Sequence, residues 1–217
     1  METIIISDTH ITPRFESKKF DFLVDIITQA DTVIINGDFW DGYICTLDDF
    51  INSPWKALFP ILKQKNTIYI PGNHDAQGLE DNRVMRFCDE VVATKKLEID
   101  GINLHIEHGH NIYHLNDTTN IPDFLIPMIA QGVHFFHYWM HTLTHDIYFN
   151  VYQRMNNSAK SWMDGNVENE ELLCTGHTHL KEADPEHNFY NSGYIQFGHG
   201  SYIEIVDGSI KLITSSY

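Results

Sequence analysis

The chain opens on a short run of apolar, β-branched residues, TIIIS at 3–7, and the pattern returns at 32–36 (TVIIN) and 67–70 (TIYI). Runs of this length, bounded by turn-forming residues, read as buried strands. Between the first two lies SKKFDFLVDIITQA, which sets Phe20, Leu23, Val24 and Ile27 on one helical face. The second gap, 47–64, also reads as helix, with a less regular stripe. Strand, helix, strand, helix, strand predicts an α/β layered fold with at least one partly parallel sheet.

Beyond residue 95 the rhythm changes. LEIDGINLHIE and YIEIVDGSIKLI each set an Asp-Gly pair, 100–101 and 207–208, between alternating apolar and polar positions. Asp-Gly in that setting signals a two-residue hairpin, whose turn needs positive φ at both positions. The second half therefore adds antiparallel strands, and the whole predicts two packed sheets flanked by helices. Residues 112–170 break the strand rhythm. Within them FLIPMIAQGVHFFHYWMHTLTHDIYFNVYQRMNNSAKSWM is helical in pattern and aromatic, between strands expected at 102–107 and 172–175. It reads as an inserted helical cap in a single domain spanning 1–217.

With 217 residues, 42% hydrophobic and 12% aromatic, the chain can bury a full core. Its 30 acidic and 14 basic residues leave a formal charge of −16, and no basic run is present. Such a surface repels nucleic acid and anionic membrane. Bound divalent cations can still build a positive pocket inside an acidic protein. Cys45, Cys88 and Cys174 have neither paired spacing nor a CxxC, which suits a reducing compartment. METIIISDTH does not read as a signal peptide, and no stretch reaches the roughly 20 apolar residues of a spanning helix. The expected location is the cytoplasm.

Five short motifs share one position, each following an apolar run where a strand should end: SDTH (7–10), NGDFWD (36–41), PGNHD (71–75), EHGH (107–110) and GHTH (176–179). Ligands of open α/β sheets gather at the carboxyl ends of strands. One Asp-x-His alone is more often a turn. Five such motifs in series, each carrying Asp, Asn or His, point to a metal site. Imidazole nitrogens and carboxylate oxygens without thiolate favour Mn, Fe or Zn over a structural zinc site.

The set and its order resemble the calcineurin-like metallophosphoesterase superfamily, over residues 1–111 and 172–217. The resemblance implies a four-layer αββα sandwich of two mixed sheets flanked by helices, carrying two divalent metal ions. It implies that one ion takes Asp8, His10, Asp38 and His179, and the other Asp38, Asn73, His108 and His177. Asp38 would then bridge the pair, which suits two cations about 3.5–4 Å apart and in-line displacement at phosphorus. A metal-bridging hydroxide would be the nucleophile. His74 would protonate the leaving oxygen or stabilise its charge, with Asp41 orienting it; a helix cap is the other reading of Asp41. His110 falls near phosphate or behind the ligands. Asp75 reads as the cap of a following helix, His105 as structural, and His199 as lining the pocket or a turn.

NSAKSWMDGN (157–166) also resembles a segment of the UDP-2,3-diacylglucosamine hydrolase group, where a helical insertion covers the metals. Asn157, Ser158 and Lys160 would be the matching substrate contacts. Two features depart from that group: it has arginine where this chain has His74, and its cap is richer in Arg and Lys. The implied activity is hydrolysis of a phosphate ester or pyrophosphate bond in a small phosphorylated compound, with a nucleotide diphosphate sugar or lipid-like substrate among the options. A non-catalytic binding scaffold and a nuclease of the same superfamily are the alternatives. The charge and the missing basic tracts disfavour the nuclease. The aromatic face of the cap is open to substrate selection, homodimer formation or peripheral membrane contact. His134, His137, His141 and His145 form a stripe there, read as polar surface or a further metal site.

Overall fold

The computed structural model describes residues 1–113, 145–168 and 170–217, without the side chains of 145–149 and 151. Four short strands come first: β1 (Thr3–Ile6), β2 (Thr32–Asn36), β3 (Ile68–Ile70) and β4 (Glu90–Val91). They lie side by side in parallel. The chain then builds a second sheet from β5 (Lys95–Ile99), β6 (Ile102–Ile106), β7 (Leu172–Thr175), β8 (Glu182–Asp184) and β9 (Phe189–Asn191), in the order β5-β6-β7-β9-β8. Finally β10 (Ile195–Gln196), β11 (His199–Val206) and β12 (Ser209–Ser216) return to the first sheet, where β11 pairs antiparallel with β1. Both sheets are mixed.

The alternation of side chains along each strand dictates the layers. Ile4, Ile6, Val33, Ile35 and Tyr69 pack against Leu23, Ile26 and Ile27 of α1 (Ser17–Gln29) and Phe50 of α2 (Leu47–Asn52), with Leu62 of α3 (Phe59–Lys63). Their neighbours Ile5, Ile34 and Ile70, with Ile203 and Ile205, face Ile99, Leu104, Ile106, Cys174 and Tyr190 of the second sheet. The outer face of that sheet, through Leu173 and Phe189, is covered by Met155, Ala159, Trp162 and Met163 of α4 (His145–Asn166). Helix, sheet, sheet, helix is the expected four-layer sandwich. A slip of one residue in β1 would exchange the faces of all its isoleucines, so the register is fixed by both cores.

Local differences have local causes. In α1 the buried stripe is Lys19, Leu23, Ile26 and Ile27, whereas Phe20 and Val24 are half-buried at its edge. Span 47–64 is not one helix: after Asn52 comes a 3-10 turn at Pro54–Leu58, then α3 with a second proline, Pro60, in its first turn. Proline lacks the N–H that a continuous helix needs and pushes the preceding residue out of the helical region. Both hairpins form, with Asp100 and Gly101 at φ 50° and 86° and Asp207 and Gly208 at 49° and 72°. Helix α4 is a layer of the sandwich, so what remains of the expected cap, 114–144, lies outside the described residues. No helix among the described residues is long and apolar enough to cross a membrane.

Candidate metal centre

All five motifs lie where the topology gathers them, just beyond the carboxyl ends of β1, β2, β3, β6 and β7. β1, β2 and β3 run parallel in the first sheet, and β6 and β7 run parallel in the second. The loops after β1 and β2 stay paired beyond the strands, through Asp8 N–H to Gly37 O at 3.0 Å and His10 N–H to Asp38 O at 2.9 Å. Five candidate ligands have left-handed backbones: Asp8 (φ 51°), His10 (42°), Asp38 (53°), His177 (67°) and His179 (57°). That conformation costs a residue with a side chain about 1–2 kcal/mol, and such strain clusters at functional sites. Gly37 must be glycine, because a Cβ there would lie 2.1 Å from His108 Nδ1.

Each carboxylate commits one oxygen to the backbone and turns the other inward. Asp8 Oδ2 accepts His177 N–H at 2.9 Å, while Oδ1 lies 3.2 Å from His179 Nε2 and 3.8 Å from His10 Nε2. Asp38 Oδ1 accepts His74 N–H at 3.0 Å. Its Oδ2 lies 3.3 Å from His108 Nε2, 3.7 Å from His10 Nε2 and 3.9 Å from His74 Nε2. His108 follows the same rule, donating Nδ1–H to Asn36 O at 2.8 Å and presenting Nε2. Two metal-sized groups result, Asp8–His10–His179 and Asp38–His108–His177. A third, His10–Asp41–His74, adjoins them.

The electrostatics are those of a site awaiting positive charge. Among the described residues, Asp8 Oδ1, Asn73 Oδ1 and His108 Nε2 are buried without a hydrogen-bond partner, a costly arrangement that a cation would relieve. Burial works against ionising Asp38, yet His108 and His74 hold it well below the usual carboxylate range. Burial likewise disfavours charge on His10 and His108, but the carboxylates overcome it: Asp41 and Asp8 help lift His10 to about 10, and Asp38 lifts His108 to about 9. His177 goes the other way, pushed down to about 3 by burial and by His108. The donor set of imidazole, carboxylate and amide oxygen fits divalent Mn, Fe or Zn.

The family model of the calcineurin-like phosphoesterases matches residues 1–181. The chain belongs to that family. A BTB/POZ domain-containing protein of Acanthamoeba polyphaga mimivirus is 33% identical over 89 residues, which are 41% of this chain and 11% of that protein. Among solved structures, Vps29 of Entamoeba histolytica complexed with zinc is 16% identical, with a TM-score of 0.49 over 100% of this chain and 99% of that one. The phosphoesterase YfcE of E. coli is also 16% identical, with a TM-score of 0.47 over 98% of each chain.

In this member of the calcineurin-like family, His74 and Asp41 lie together at the rim of the cluster. His74 Nδ1 is 3.0 Å from Asp41 Oδ1, and since a carboxylate only accepts, the ring donates there and leaves Nε2 3.9 Å from Asp38 Oδ2. The His74 side chain is 22% exposed against 3% for Asp41, so His74 meets solvent and Asp41 does not. The other Asp41 oxygen lies 3.6 Å from His10 Nδ1. The His110 ring is 5.6 Å from that of His108 and 6.5 Å from that of His177; its Nδ1 has no hydrogen-bond partner among the described residues, and burial and His108 push it down to about 4. Asn157 and Ser158 are exposed on α4, and Ser158 bonds only back to Arg154 O among the described residues. Lys160 pairs with Glu182 and Asp184 at 2.5 Å each, clamping α4 to β8. His134, His137 and His141 lie outside the described residues.

The residues around the cluster take other roles. Asp75 caps nothing with its side chain. Fully buried, it accepts from Asp38 N, Phe39 N and Gly72 N, tying the loops after β2 and β3 together. A carboxylate with three converging backbone donors is more useful inside than at a helix end, and the 3-10 turn that follows is only four residues long. His105 is structural, buried on β6 against Trp162. His199 begins β11 and is exposed. Tyr113 stacks on His177 at 5.5 Å and Tyr43 covers His74 at 4.2 Å, contacts without a sequence signal.

Proposed function

We propose that the chain is a two-metal hydrolase of phosphate ester or pyrophosphate bonds in a small phosphorylated compound. The observation that carries this reading is the position of Asp38 Oδ2, within 4 Å of imidazole nitrogens from both metal-sized groups. Asp8, His10, Asp38 and His179 would hold one ion, and Asp38, Asn73, His108 and His177 the other. The ions, when bound, would draw a phosphoryl group into an otherwise acidic protein and neutralise charge on its oxygens. The rest belongs to the chain. His74 would present Nε2 to the leaving oxygen as general acid, and Asp41 fixes the ring through Nδ1–H. His110, beside His108 and His177, would meet the phosphate or support those two ligands.

Metal analysis of protein reconstituted with Mn, Fe or Zn, paired with a hydrolysis screen, tests the reading. The screen spans an aryl phosphate, a diaryl phosphate, nucleotide diphosphate sugars and single-stranded nucleic acid. Two ions per chain and turnover of at least one small compound are expected. A single ion per chain overturns the bridging role of Asp38. Full metal occupancy without turnover of any class favours a binding scaffold instead.

A further inference from the structure

We propose that Asn156 of α4 is a positioning residue for His177 and His179, acting through Thr178, which lies between them. The proposal rests on the reading of those two histidines as metal ligands. Asn156 is fully buried in the fourth layer of the sandwich, and its amide is used on both sides. Its Oδ1 accepts from Thr178 Oγ1 at 2.9 Å and from Asn191 Nδ2 at 3.3 Å. Its Nδ2 donates to Leu180 O at 3.1 Å and to Glu182 Oε2 at 2.8 Å.

Thr178 is equally buried and completes the net, accepting from Asn191 Nδ2 at 3.0 Å and from Leu180 N–H at 3.3 Å. Asn191 also reaches Gly176 O at 2.8 Å. The loop is thus held at Gly176, Thr178 and Leu180, the positions that alternate with the two histidines. His177 and His179 both sit in the left-handed region, a conformation that persists only where the surroundings over-determine it. Turning Thr178 inward with its hydroxyl satisfied aims the flanking side chains outward. Met155, one position away on α4, joins the apolar packing of the same helix, so docking of the helix and gripping of the loop are separable by mutation.

Mn²⁺ alone, titrated calorimetrically into metal-free protein, is the first readout. N156A and the near-isosteric T178V should each weaken Mn²⁺ binding about 10–100-fold, as lost supports behind metal ligands do. The double variant should be no weaker than the worse single, because both substitutions cut the same link. M155A, which loosens helix packing, should lower the urea midpoint but bind Mn²⁺ like wild type. Hydrogen exchange at the amides of residues 176–180 in metal-free protein is the second readout. It should rise selectively in N156A and T178V, not in M155A. Wild-type Mn²⁺ affinity in both N156A and T178V, or equal loss in M155A, overturns the proposal. If the wild-type protein takes up no Mn²⁺, the two-metal reading falls separately; unchanged exchange at 176–180 then overturns the positioning role as well.

Discussion

The loop Asp8-Thr9-His10 and the loop His177-Thr178-His179 are built alike and held differently. In each, a fully buried threonine separates two candidate ligands in the left-handed region. Each threonine is gripped from an outer helix. Thr9 gives its carbonyl to the ammonium of Lys19 from α1, and its hydroxyl donates to Phe39 O at 2.6 Å. Thr178 gives its hydroxyl to the neutral amides of Asn156 and Asn191. Lys19 is 2% exposed, and burial pushes it down to about 8 despite Glu16 and Asp41. One grip is a buried cation whose strength depends on pH; the other is a net of neutral amides and a hydroxyl, with the carboxylate of Glu182 at its edge. Asp8 joins them, since its Oδ2 accepts His177 N–H across the two loops.

The largest expected effect lies outside both loops and marks what the loop histidines are not. H74A should keep both metals and lose about 10²–10⁴-fold in turnover, the usual worth of a general acid. The loss should be greatest with a poor leaving group and small with an aryl phosphate whose leaving group needs no proton. Metal analysis and turnover on the two substrates decide it. Loss of metal from the variant would move His74 into the ligand set, beside the third group it forms with His10 and Asp41.

Next in size is the buried amine. Lys19 binds its proton less tightly folded, at about 8, than unfolded, at 10.5. Between those values the unfolded chain holds more protons, so stability rises with pH across that window. Below pH 8 the folded protein carries the full penalty of the buried charge. K19M removes the titrating group and keeps the length of the side chain. Urea unfolding at pH 7 and near pH 10.5 should therefore show wild type gaining on K19M by up to about 3 kcal/mol as pH rises. The same pair of measurements on T178V should give a difference from wild type that does not move with pH. A flat wild-type-minus-K19M difference would erase the contrast between the two grips.

The two grips also separate what a sequence displays from what it hides. The strands, the hairpins and the gathering of the five motifs were legible because each is a local signal: an apolar run, an Asp-Gly pair, or chemistry at a strand end. Pro54 and Pro60 carried a local signal for the break in 47–64, which the helical reading of that span passed over. Lys19 was not legible, since a lysine near the start of an amphipathic helix reads as solvated, and only the approach of the β1 loop buries it. Asn156 was passed over in favour of Asn157 and Ser158. Helical spacing carried a signal, because Asn156 falls three and seven positions before Ala159 and Met163, both packed on the second sheet. Asp75 was assigned to the helix after it, whereas its donors come from residues up to 37 positions away in sequence. Long-range polar partners leave no local trace.

The smallest predicted effect tests the grips on equal terms. T9V removes one hydroxyl and its single short bond to Phe39 O, and valine fills nearly the same volume. The Lys19 contact is to the carbonyl of Thr9 and survives the substitution. The cost should be about 1 kcal/mol, that of one buried hydrogen bond with its acceptor left unpaired. Mn²⁺ affinity should be close to wild type, because the backbone pairing of Asp8 and His10 with the β2 loop remains. T178V cuts a hydroxyl with three partners, so its metal affinity should fall where that of T9V does not. Measured side by side by calorimetry, equal Mn²⁺ affinities in the two valine variants would mean that the loops are held alike after all. A T9V loss exceeding that of T178V would place the decisive support on the β1 side of the cluster.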